Sequence, residues 1–210
     1  MPTALRGHGN NSRLAFAYRL KLGDMANNRK QCQRINEPGH AHCLTFSCFR
    51  RQRWLVTDQI YQWITDAINR AGEKHQLDVW AYVIMPEHVH LLFLPRTPDY
   101  SISKVLTTLK QSVSNKVLNR VRQERPEFLQ KMADVQPNGQ VSYRFWQRGG
   151  GYDRNLYKSK SIQAEIEYIH ANPVRRKLCE RPTDWIWSSA REHAEIETGP
   201  VRLDLKTIPE

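Results

Sequence analysis

The sequence predicts an α+β fold, a small antiparallel sheet with helices packed on one face. Three observations predict it. Runs rich in β-branched and aromatic residues occupy 40–49, 77–86 and 87–95. Two long amphipathic patterns, 57–75 and 101–124, alternate with them. The short "MPE" stretch is all that separates the second and third runs, so those two form an antiparallel hairpin.

The elements follow in order. "HAHCLTFSCF" (40–49) reads as the first strand. In 57–75, Thr57 or Asp58 caps a helix whose Ile60, Ile64, Ala67, Ile68 and Ala71 recur at helical spacing. "LDVWAYVIMP" and "EHVHLLFLP" are the next two strands. In 101–124, Ile102, Val105, Leu106, Leu109, Val113, Val117 and Val121 make one continuous apolar stripe. Residues 126–142 break the periodicity and read as an excursion from the main fold. A short strand is expected within 143–155, where Gly149–Gly151 let the chain bend. "SKSIQAEIEYIHA" (159–171) is a further helix, expected to stop before Pro173 because a proline ring disfavours helical geometry at the preceding residue. A last short helix is expected near Ser188 or Ser189. Strand, helix, strand, strand, helix, strand is the ferredoxin-like split β-α-β order.

Residues 1–38 are read as a basic, poorly ordered arm with a short helix around Leu14–Leu22, 39–196 as one domain, and 197–210 as a tail. The chain has 210 residues, 40% of them hydrophobic, enough for a real core. The net charge of +11 points to a polyanionic partner, nucleic acid first. Six tryptophans and eight tyrosines add stacking surface of the kind single strands use. No apolar run approaches the roughly 20 residues that span a bilayer, and no secretory leader is legible, so a cytoplasmic protein is expected. Cys32, Cys43, Cys48 and Cys179 form no CxxC pair, which favours free thiols. A zinc site drawn from Cys32, His40, His42, Cys43 and Cys48 would fit no standard ligand spacing.

Two histidines open the third strand. Alternation sends His88, His90 and Leu92 to one face and Val89, Leu91 and Phe93 to the other. Two imidazoles so placed can converge on one ion, but "HAH" at 40–42 has the same spacing. A catalytic metal also needs a third ligand. In the 159–171 helix, Ile162, Ile166 and Ile169 mark the buried stripe, and Tyr168, Asn172 and Glu165 share a flank away from it. Arg175, Arg176 and Lys177 follow. This flank reads either as a surface tyrosine with an asparagine cap, or as a nucleophile, a ligand and a phosphate clamp.

"VIMPEHVHLLFLP", a basic helix, "FWQ…YDRN", "EYIHANPVRRKL" and "DWIWSS" occur in that order. The combination resembles the REP-associated tyrosine transposases, relatives of the single-tyrosine transposases of insertion sequences, over about residues 39–190. The resemblance implies a ferredoxin-like core that binds and nicks single-stranded DNA carrying hairpins. It implies Mg²⁺ or Mn²⁺ held by His88, His90 and Asn172, with Tyr168 as nucleophile and a 5′-phosphotyrosine intermediate. Tyr152 and Tyr157 are the rival nucleophiles. Lys110, Lys116, Arg120, Arg148, Arg154, Arg175, Arg176 and Lys177 are candidate DNA contacts. The family also implies a monomer or a dimer that shares helices. His40 and His42 fall where the family has no ligands. Alternatives are a hairpin-binding regulator that never cuts, and a metal phosphohydrolase that uses water.

Overall fold

A computed structural model describes residues 35–149 and 151–210. The expected helix around Leu14–Leu22 and Cys32 lie outside the described residues. The first strand, β1, is Ala41–Ser47, and the first long helix, α1, is Asp58–His75. The Thr57 side chain caps α1 by accepting from the Ile60 amide, satisfying one donor of the first turn. Strands β2 (Leu77–Ile84) and β3 (His88–Pro95) form the expected hairpin, and α2 runs Ile102–Glu124 behind a Ser101 cap. After the short helix α3 (Leu129–Met132) come β4 (Ala133–Val135) and β5 (Val141–Tyr143), then β6 (Tyr152–Leu156), α4 (Ser159–Arg175) and the short α5 (Ala190–His193).

The four-stranded sheet has the order β2-β3-β1-β6, antiparallel throughout. This is the split β-α-β arrangement. Helices α1 and α2 lie together on one face and enclose Leu44, Phe46, Val89, Leu91 and Phe93. On the opposite face, α4 packs Ile162, Ile166 and Ile169 against Cys43, Leu92 and Val83. The excursion at 126–142 has structure of its own, since β4 and β5 pair as a two-stranded hairpin.

Strict alternation along β2 would place Val79 and Tyr82 on opposite faces, yet both line the α1–α2 core. A bulge between Val79 and Ala81 resolves the conflict, because one extra residue reverses the parity of the strand. Trp80 and Ala81 both face α4 as a result. The outer edge of β2 is covered by the C-terminal segment: the Ile84 amide donates to the Trp187 carbonyl, Ser189 to Tyr82, and Asp204 to Val79. Backbone groups of an edge strand are satisfied in this way rather than left as a template for another chain.

Two expectations are corrected. Helix α4 does not stop before Pro173 but continues to Arg175, with the proline buried inside it. Pro173 lacks the N–H that would serve the Ile169 carbonyl, yet the helix runs on through it, with Ile169, Asn172 and Pro173 all buried; separately, the Asn172 side-chain amide donates to the Tyr168 carbonyl at 2.7 Å. The glycine run is also not simply loose. A Cβ at Gly151 would lie 1.9 Å from the Thr45 carbonyl oxygen, and its φ is +73°. Glycine is therefore required there for close approach to β1.

Gly151→Ala is expected to destabilise the fold by at least about 2 kcal/mol, from backbone strain plus a clash with a sheet strand. Thermal denaturation should show Tm lowered by roughly 5 °C or more; an unchanged Tm would contradict this packing.

Candidate active site

Strand β3 places the two histidines by its register. Ser47 lies opposite His88 and Thr45 opposite His90. With Val89 and Leu91 locked into the α1–α2 core, both imidazoles must point to the α4 face. They are 5% and 6% exposed. Their Nε2 atoms approach to 2.9 Å with the rings nearly perpendicular. Two nitrogens bound at ~2.1 Å to one ion, at close to a right angle, would stand ~3 Å apart. The pair is thus spaced as two ligands of one ion.

The far ring nitrogens are held by protein. His88 Nδ1 lies 3.2 Å from Glu87 Oε1, and His90 Nδ1 lies 2.8 Å from Thr45 Oγ1. A carboxylate can only accept, so His88 carries its proton on Nδ1 and turns the Nε2 lone pair inward. His90 then donates from Nε2 to His88, and the Thr45 hydroxyl donates to His90 Nδ1. To offer both Nε2 lone pairs to an ion, His90 must move its proton to Nδ1, with Thr45 turning to accept it. A hydroxyl can play either role, so the switch needs only a proton shift on His90 and a turn of the Thr45 hydroxyl. The donor set therefore fits a divalent ion. Among the described residues, no group of three or more His, Cys, Asp and Glu side chains is placed to hold a metal. A third ligand would have to be of another type, and His40, His42, Cys43 and Cys48 form no such group among the described residues. His42 is fully buried, hydrogen-bonded at 2.8 Å to both Asp153 and Tyr100, and is a structural residue.

Burial pushes the pKa of both imidazoles down, and for His90, with the neighbouring His88 adding to the effect, to about 3. His90 stays neutral, the form a metal ligand needs, well below the ordinary histidine range, and burial shifts His88 in the same direction. A loss of ligand capacity near pH ~6.5, the value for an unperturbed imidazole, is therefore not expected.

Tyr168 stands beside this pair. Its ring meets His90 edge-on at 5.8 Å, and the Arg175 guanidinium lies over it at 5.0 Å. At 40% exposure it remains open to solvent. Asn172 is buried one turn on; the hydrogen bond its side chain makes is to the Tyr168 carbonyl. The rivals are placed differently. Tyr157 stacks on His40, away from the pair. Tyr152 lies opposite Thr45 on β6, in the same cross-strand row as His90.

The sequence of residues 38–172 matches the family described as "Transposase IS200 like". This chain belongs to that IS200-like transposase family. Among its relatives, a REP-associated tyrosine transposase of Escherichia coli (strain K12) is 24% identical over 161 residues, 76% of this chain and 81% of the relative. A Haemophilus influenzae (strain Rd) protein provisionally given the same assignment is 26% identical over 155 residues, 70% of this chain and 81% of that one. A solved structure of a REP-associated tyrosine transposase bound to a REP hairpin shares the fold, with a TM-score of 0.60 at 18% identity, covering 89% of this chain and 98% of that chain.

The candidate DNA contacts of this IS200-like chain fall into separate places. Arg175 and Arg176 stand at the site, Arg176 donating at 2.8 Å to Glu87. Lys177 follows in a left-handed conformation, φ +56°. Lys110 donates to the Gln147 and Gly149 carbonyls and shares a groove of about 520 Å³ with Arg148. Arg154 pairs with Glu165, which also accepts from the Cys43 thiol. Lys116 lies over Trp63 and Arg120 pairs with Glu124. These last two belong to the exposed side of α2. Described cysteines Cys43, Cys48 and Cys179 are free, and burial raises the Cys48 thiol to about 12, so it is inert. No described helix is long and apolar enough to cross a membrane.

Sequence reasoning passed over Glu87 and Thr45. Glu87 is buried, bridges His88 and the end of α4, and was visible as an acid inside an apolar run. Thr45 carried no signal, because only the β1–β3 register brings it to His90.

Two outcomes follow from this geometry. Thr45→Val should keep the fold but weaken Mn²⁺ binding about tenfold, by removing the acceptor for His90 Nδ1–H; calorimetric titration with Mn²⁺ checks it. Below pH ~6.5 the unfolded chain protonates its histidines while the folded pair resists. Metal-free stability should therefore be complete above ~6.5 and fall as pH drops toward about 3, with a shallower slope in a His88→Gln/His90→Gln double variant, read by denaturant titration at several pH values.

Proposed function

We propose that this protein is a single-stranded DNA nicking and joining enzyme that acts on hairpin-bearing, REP-like DNA through a 5′-phosphotyrosine intermediate. The observation that carries the reading is an exposed tyrosine ring against a buried, neutral, convergent histidine pair. Family membership, together with relatives that are REP-associated tyrosine transposases, one of them solved bound to a REP hairpin, supports the substrate class.

His88, His90 and Asn172 would hold Mg²⁺ or Mn²⁺. When bound, the ion supplies Lewis-acid polarisation of a phosphate oxygen. The chain's own residues do the rest. Helix α4 fixes Tyr168 at the rim of the pair, and Arg175 and Arg176 attract the phosphate backbone to it. The Tyr168 hydroxyl oxygen attacks phosphorus and the bond from phosphorus to O3′ breaks. The leaving O3′ takes up a proton, so the phenol proton lost is balanced. The 3′-hydroxyl of another strand then attacks the phosphotyrosine, restores the phenol and joins the strands without ATP.

Incubation with a labelled hairpin-bearing single strand and Mn²⁺ tests this. Wild type should form a covalent adduct, while Tyr168→Phe, or wild type with chelator, should form none and still bind the hairpin. An adduct from Tyr168→Phe would move the nucleophile to another residue, Tyr152 first. Binding without any adduct from wild type would favour the non-cutting regulator, and cleavage without adduct the water-using phosphohydrolase.

A further inference from the structure

The loop between β1 and α1 is fastened to the histidine motif at both ends. The Cys48 amide donates to the Glu87 carbonyl and the Leu55 amide to the Pro86 carbonyl, each at 2.9 Å. Between these staples, Arg50 and Arg51 both adopt left-handed backbone conformations, φ +53° and +54°. Two consecutive non-glycine residues held there store strain, which the flanking hydrogen bonds must over-determine. Arg51 and Arg53 are both exposed on this loop. The Arg51 charge is close enough to His88 to oppose its protonation.

Arg51 and Arg53 also line a groove of about 750 Å³ that continues away from the histidines, between this loop, α2 and the segment 125–132. Its floor is apolar and aromatic, with Trp54 packed edge-on to Phe128 at 5.9 Å and stacked on Phe145 at 6.0 Å. Its far rim carries Arg125, which pairs with Glu127, and Lys131, which lies over Phe128. Neither Arg51 nor Arg53 is in an ion pair among the described residues. An apolar aromatic floor under a cationic rim suits an unstacked base with its phosphate, since every base has a stacking face and every nucleotide a negative charge. The volume lies in the range of small-molecule sites, ~300–1,000 Å³.

We infer that this groove seats an unpaired nucleotide of the strand whose phosphate is presented to Tyr168, with Arg51 and Arg53 as phosphate contacts and Trp54 and Phe128 as the base platform. The inference rests on the proposed single-strand substrate, but not on cutting.

A short oligothymidine carrying 4-thiothymidine, irradiated with the full-length Tyr168→Phe variant in chelator, tests it. Cross-links are expected in the peptides containing Trp54 or Phe128. Arg51→Gln/Arg53→Gln should weaken binding of fluorescein-labelled oligothymidine at least about fivefold, as the loss of two phosphate contacts requires. Cross-links confined to other surfaces, such as the Lys110–Arg148 groove, would overturn the inference. So would unchanged affinity in the double variant, or a concentration-dependent dimer that protects this groove from the oligonucleotide. Neither readout needs turnover, so failure of the adduct assay and failure of this test are separable.

Discussion

The register between β1 and β3 is the constraint on which the site depends. It sets Thr45 opposite His90 and Ser47 opposite His88. Because side chains alternate with a period of two, a slip of one residue would turn both imidazoles into the α1–α2 core and expose Val89 and Leu91 instead. Burial of those apolar residues therefore does more than stabilise. It fixes which face the histidines occupy and which hydroxyl meets His90.

Glu87 ties that strand to the helix that bears the tyrosine. One carboxylate oxygen accepts from His88 Nδ1 and from Arg176, which follows α4. Asn172 and Tyr168 sit one turn apart on the same helix, and the Asn172 side-chain amide donates to the Tyr168 carbonyl. The imidazole tautomer, the helix end and the tyrosine are thus linked by charge-assisted and backbone hydrogen bonds, the stronger kind in a buried setting. Gly151 completes the arrangement from the other side, since its lack of a side chain lets β6 approach the Thr45 backbone.

Cationic residues divide according to what they pair with. Arg120 and Arg154 are engaged by carboxylates of their own chain, and the exposed Arg120–Glu124 pair contributes little to stability. Arg176, though paired with Glu87, stands with Arg175 at the histidine pair, and Arg51 and Arg53 line the groove on the β1–α1 loop.

The sequence by itself determined the element order, the hairpin, the two-faced character of β3 and the candidates His88, His90, Tyr168 and Asn172. Each rests on local periodicity or on a motif that survives unfolding of everything else. It did not show the β2 bulge, because a parity change is visible only once a partner strand is present. It misread Pro173 as a helix stop, since what carries the helix through the proline is the burial of Ile169, Asn172 and Pro173 against the rest of the fold. Thr45, the Glu87–Arg176 link and the strained Arg50–Arg51 loop were settled only by tertiary structure. These are contacts between residues far apart in the chain, set by register and packing, and no spacing along a single strand or helix encodes them.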